Sequence, residues 1–243
     1  MDVVADLVAE QDRLEVLLGG LDEEAWSSPS AATGWTVSDV VLHLAQTEEA
    51  VVASALGVPS ALRIESSSET LDGAMDRLVA AERSEPTAVF DRWRRARRAA
   101  VDALRSADPQ RPLPWAAAPL KPRTLATTRL AEHWAHGLDI AEPLRLPWED
   151  TDRLRHVAWL GHGSLPYAFS LRGEPAPDVC CVLTAPSGAI WRYGPADAPS
   201  SISGSAGAFC RVGAQRLRPD ASGLVTGGPS GAAALAVLRN YAA

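Results

Sequence analysis

Residues 123–143 read as a helix whose composition leaves almost no face for solvent. Leu125, Ala126, Leu130, Ala131, Trp134, Leu138 and Ile140 are apolar or small, yet Thr128, Glu132, His136 and Asp139 run through them as a polar line. A helix that is apolar nearly all round has to be surrounded by other elements. Ionisable groups buried with it cost several kcal/mol each unless they find partners. This segment therefore demands a bundle around it and a partner for its polar line.

A second helix, opened by Thr36-Val37-Ser38-Asp39, places Val37, Val40, Val41, Leu44 and Val51 inward, with Asp39, His43, Gln46 and Thr47 along one edge. Glu132 and His136 stand four apart and so project from one helix face. With His43 they would make a His2Glu set with a fourth position open, the arrangement of catalytic rather than structural zinc. The competing reading is a local Glu132–His136 pair on a solvated face, with His43 a satisfied core histidine. Spacing alone leaves both open. His133 lies about 100° around the helix from Glu132, so it is placed to flank a pocket or face outward rather than share a ligand. His156 and His162 read as structural, with a place lining a cleft between domains open to His162.

The rest of the first two-thirds is also helical in pattern. Helices are expected near 3–18, 71–83, 86–107 and 150–163, with a proline-rich loop or lid at 108–122. Arg92, Arg94, Arg95, Arg97 and Arg98 alternate with Trp93, Ala96 and Val101, which reads as a solvated helix face rather than an anion site. The stretch Arg172-Gly173-Glu174-Pro175-Ala176-Pro177 reads as a linker. Beyond it come a buried strand at 179–183, a hairpin to a second strand at 189–193, a helix at 203–216, a short strand at 223–226 and a closing helix at 229–241. The expected fold is α+β: a helical bundle over 1–172 followed by a small α+β domain over 173–243 that closes the pocket.

Thirty acidic against 23 basic residues give a net charge of -7, which argues against nucleic acid as the partner. Three cysteines, two of them adjacent, form neither a disulfide framework nor a zinc ribbon. They fit a reducing cytoplasm, where small buried thiols act as apolar filler. The N-terminus carries no signal-peptide pattern, and no apolar run reaches membrane-spanning length. A cytoplasmic monomer or homodimer acting on a small molecule is expected, with no membrane partner.

Gly34-Trp35-Thr36-Val37-Ser38-Asp39-Val40-Val41-Leu42-His43-Leu44 and Glu132-His133-Trp134-Ala135-His136-Gly137-Leu138-Asp139-Ile140-Ala141 resemble the paired helical signatures of the DinB/YfiT-like metalloenzymes. The nearer likeness is to their mycothiol-dependent maleylpyruvate isomerase-like branch. Leu183–Trp191 and Ser203–Cys210 resemble that branch's appended domain, so the likeness spans nearly the whole chain. It implies a four-helix-type bundle and places the metal ligands on His43, Glu132 and His136, with zinc as the expected divalent ion. Mycothiol would serve as thiol co-substrate for an isomerase or S-transferase. His133, Asp139 and Arg216, with Gln215 beside the last, are the pocket candidates. The group is mixed in activity, so a thiol-independent hydrolase or lyase and a non-catalytic metal-containing binder stay open beside the thiol enzyme.

Overall fold

The computed structural model describes residues 2–60, 70–115 and 118–241. Six helices come first: α1 (Val3–Gly19), α2 (Glu23–Ser27), α3 (Val37–Leu56), α4 (Leu71–Glu82), α5 (Pro86–Ser106) and α6 (Pro122–Ala141). Their ends arise from local chemistry. Asp2 accepts a hydrogen bond from Val4 N, and Thr36 and Asp39 close a reciprocal capping box at the start of α3. Gly57, at φ 69°, ends α3 in the left-handed conformation a side chain disfavours. Proline occupies the first turn of α5 and α6, where its missing N–H leaves no bond unmade.

Among these, α3 packs along α5 and α1 along α6, with α3 also against α6. Trp93, Trp134, Leu14, Leu44 and Leu130 are fully buried between them. The arginine run of α5 departs from the solvated face expected of it. Arg97 is 6% exposed and pairs with Asp12 (2.8 Å) and Glu15 of α1. Arg94 also reaches Glu15 (2.7 Å), and Arg92 grips Glu49 of α3 and Glu82 of α4 (both 2.7 Å). These three stitch α5 to its neighbours, while Arg95 and Arg98 are exposed as expected. In the proline-rich 108–122 segment, of which 116–117 lie outside the described residues, Leu113 and Leu120 exchange backbone hydrogen bonds of 2.8 and 2.9 Å.

Backbone packing divides the chain into two compact units, Met1–Trp148 and Glu149–Ala242. The division precedes the Arg172–Pro177 stretch because the helices over 154–170 pack on the C-terminal elements, while Trp148 stays with the first unit, its indole N–H on Trp134 O at 3.1 Å. Helices α7 (Leu154–Gly163) and α8 (Leu165–Ser170) share the second unit with β1 (Val179–Thr184), β2 (Ile190–Tyr193), β3 (Ser200–Ser205), α9 (Ala206–Gly213), β4 (Val225–Gly227) and α10 (Gly231–Val237). The sheet order is β2-β1-β3-β4, with β1 and β3 parallel at the centre and both outer pairings antiparallel. Strand β3 occupies part of the stretch expected to be helical from 203. Its Ser-Ser-Ile-Ser-Gly-Ser carries one apolar side chain, Ile202, opposite Cys181. The closing helix stops at Val237, and Asn240 continues as an extension, donating to Gly213 O (2.8 Å) and Cys210 O (3.1 Å). No helix among the described residues is long and apolar enough to cross a membrane.

Candidate metal centre

Helices α3 and α6 bring His43, Glu132 and His136 together, each offering one donor atom within 4.8 Å of the others. Glu132 Oε2 lies 3.6 Å from His43 Nε2 and 3.4 Å from His136 Nε2. The imidazoles meet edge to face at 5.0 Å. These separations exceed the roughly 3.2 Å limit of a good N–H···O bond. They match the edge of a tetrahedron, about 3.4 Å for donors about 2.0–2.1 Å from a shared ion. Both histidines are buried, while the Glu132 side chain is 29% exposed. The three residues fit a divalent cation in donor type and spacing.

Asp139 stands behind this trio. Its Oδ2 accepts from His136 Nδ1 at 2.9 Å, which fixes the tautomer and leaves Nε2 to face Glu132. Burial opposes a charge on His136, but the Asp139 hydrogen bond and the neighbouring Glu132 carboxylate outweigh it and raise its pKa to about 9. Burial pushes His43 below its ordinary value. Burial also favours the neutral form of Glu132, yet the neighbouring His136 and His43 imidazoles hold that carboxyl well below the usual range. The site thus favours positive charge at His136, between the Asp139 and Glu132 carboxylates.

The other polar residues of the α3 edge hold helices together. Asp39 receives two bonds from Arg83, at 2.8 and 3.0 Å, and Gln46 donates to Leu78 O and Glu82. Thr47 accepts from Arg129 (2.6 Å), whose Nε donates to Glu48 at 2.9 Å. Burial raises the Glu48 pKa in spite of that pairing. His133 is not a pocket residue: it is fully buried, Nδ1 on Arg129 O at 2.8 Å and Nε2 accepting from Trp93 Nε1 at 3.2 Å. Burial and the neighbouring Arg129 charge lower its pKa to about 3, so it stays neutral. In the second unit, Arg216 donates to Ala214 O within its own segment, and Gln215 donates to Leu238 O at the end of α10.

Three residues near the trio escape a motif-level reading. Arg129 and Glu48 form a buried ion pair, 2% and 0% exposed at the side chain. An arginine three residues before Glu132 in an apolar helix is the signal that points to such a pair. Trp35 packs its ring 5.0 Å from His43 and 6.4 Å from His136.

The profile of the mycothiol maleylpyruvate isomerase N-terminal domain matches residues 7–141, the span that contains all three donors. Two uncharacterized proteins, from two strains of Mycobacterium tuberculosis, are 33% identical over 220 residues, covering 88% of this chain and 84% of theirs. Crystal structures of mycothiol-dependent maleylpyruvate isomerase and of a histidine-to-alanine mutant of it superpose with TM-scores of 0.61 and 0.62. Each is 17% identical, over 92% of this chain and 91% of theirs, so the likeness carries the fold, a helical domain followed by an α+β one. On the extent of the profile match and the identity to these relatives, the chain belongs to the mycothiol maleylpyruvate isomerase N-terminal domain family.

Proposed function

We propose that this protein is a metal-dependent enzyme that uses mycothiol to isomerise, or form an S-adduct with, a small electrophilic substrate. The observation that carries the reading is the spacing of Glu132 Oε2 from His43 Nε2 and His136 Nε2, 3.6 and 3.4 Å, with Asp139 fixing the second imidazole. Family membership supports the thiol: the relatives of known structure are mycothiol-dependent isomerases.

His43, Glu132 and His136 would hold the ion, zinc being the natural choice for two imidazoles and one carboxylate. A bound divalent cation supplies the positive charge that deprotonates a thiol placed beside it. The chain's own residues do the rest. Asp139 keeps a proton on His136 Nδ1, so Nε2 remains a lone-pair donor. Glu132 contributes a carboxylate, and two imidazoles with one carboxylate leave a net charge near +1 over a divalent ion, a good match for one incoming thiolate.

The thiol has to come from outside the chain. Cys180, Cys181 and Cys210 are all buried. Burial raises the Cys181 thiol to about 12 and the Cys210 thiol well above its ordinary value. Neither is a thiolate at neutral pH, and thiolate is the reactive form.

Elemental analysis and turnover assays test the proposal together. Wild-type protein should carry one divalent ion per chain, and His43→Ala and His136→Ala should lose it while keeping their helical signal. Conversion of an electrophilic substrate such as maleylpyruvate should require added mycothiol and survive replacement of all three cysteines by Ala. Turnover at full rate without any thiol would replace the thiol mechanism with thiol-independent hydrolase or lyase chemistry.

A further inference from the structure

The two histidines of the trio are held unequally. His136 has Asp139 behind it, whereas His43 Nδ1 is buried with no hydrogen-bond partner among the described residues. A ligating imidazole normally has its second nitrogen tied to an acceptor that sets the ring's orientation. His43 has an aromatic face instead: the Trp35 indole lies 5.0 Å from its ring, tilted by 47°. The same indole stacks on His136 at 6.4 Å and 25°.

Trp35 is itself braced from two sides. It closes a tight loop over residues 28–36, in which Ser30 N donates to Trp35 O (2.9 Å), Val37 N donates to Ser28 O (3.0 Å), and Pro29 pairs with Thr36. Gly34 makes the turn at φ 83°, a conformation costly for a side chain. The loop is fastened to α6 by Ala31 N on Asp139 O at 2.9 Å, at the residue whose carboxylate holds His136. On the other side the Trp35 Nε1–H donates to Asp76 of α4 at 2.8 Å. An indole fixed at both its backbone and its nitrogen has one orientation available. That orientation covers the His43–His136 pair with an apolar wall.

We propose that Trp35, braced by Asp76, is a positioning residue for the metal site: its ring takes over for His43 the orienting role that Asp139 plays for His136. The inference rests on the trio being a metal site. It adds that the site's affinity and coordination geometry depend on a residue that contributes no donor atom.

Cobalt(II), a spectroscopic stand-in for zinc, provides the test on the intact protein. Its affinity is measured by chelator competition and its geometry by the visible d–d absorption. Trp35→Ala should bind cobalt at least about tenfold more weakly with an altered d–d band. Trp35→Phe, which keeps a ring over His43, should restore the wild-type band and most of the affinity. Asp76→Ala should weaken binding in the wild type and have no added effect in Trp35→Phe, which lacks the N–H. A purely structural Trp35 would lower the melting temperature without moving the band. If wild type binds cobalt and Trp35→Ala matches it in affinity and spectrum, the positioning role is overturned and the metal site stands. If wild type binds no metal, both fall together.

Discussion

Trp148 occupies the space that a side chain on Gly137 would need: a Cβ built on Gly137 falls 2.1 Å from Trp148 Cζ2 and 2.3 Å from Cε2. The indole turns its N–H edge to α6, donating to Trp134 O at 3.1 Å, and carries the Arg13 guanidinium 3.9 Å from its ring centre. Gly137 comes directly after His136 in α6.

Gly137→Ala should therefore destabilise the protein by about 1–3 kcal/mol through overpacking, against the gain of about 1 kcal/mol that alanine usually brings to a helix interior. Trp148→Ala in the same chain should recover part of that loss. Melting temperatures of the two single variants and the double variant check this, because a shared clash makes the effects non-additive. Additive losses would show that Trp148 and Gly137 do not compete for the same space.

Asp139→Asn keeps the size of the side chain but removes the charge that holds a proton on His136 Nδ1. Loss of such an outer carboxylate costs about 10–100-fold in metal affinity in comparable sites. Chelator competition on Asp139→Asn should show a loss in that range with an unchanged circular dichroism spectrum. Wild-type affinity would mean that the 2.9 Å contact orients nothing.

The buried pair of Arg129 and Glu48 gives a different signature. Removing one partner of such a pair strands a charge and costs about 3–5 kcal/mol. Arg129→Met should lower stability by that order and Glu48→Gln by less, since glutamine keeps an acceptor for Arg129. Denaturant unfolding of both variants checks the ranking. His133→Ala should cost about 3 kcal/mol, from a cavity and two lost hydrogen bonds. It should leave metal stoichiometry intact, because both His133 nitrogens are spent on Arg129 O and Trp93.

The legible parts of this chain are those where one strong local rule acts. The helix opened by Thr36–Asp39, the proline opening α5, and the apolar α6 crossed by a polar line all form where their patterns indicate. The meeting of His43 with Glu132 and His136 is open from spacing alone and is implied by the family resemblance. Strand β3 escapes because its Ser-rich sequence has little strand preference, and its place between β1 and β4 comes from pairing rather than local pattern. The pocket-flanking place expected of His133 fails because helical angle gives direction but not neighbour: Trp93, forty residues away, lies there. Trp35 sits inside a motif without a legible task, since its contact with His43 exists only once the 28–36 loop folds back.

Asp39 supplies the pH dependence. Burial alone would raise its pKa, but hydrogen bonds from Arg83 and from Thr36 lower it below the ordinary 3.8. A carboxyl whose folded value is depressed contributes stability that is complete above its unfolded value and is lost as pH falls through the folded one. Asp39→Asn should thus be less stable than wild type by about 1–2 kcal/mol at neutral pH, the scale of a lost helix cap. That gap should hold from neutrality down to about pH 4 and close as the solution is acidified further. Urea unfolding of the two proteins at matched pH values checks it. A gap that persists unchanged below about pH 3 would assign Asp39's contribution to shape and neutral hydrogen bonding rather than to its charge.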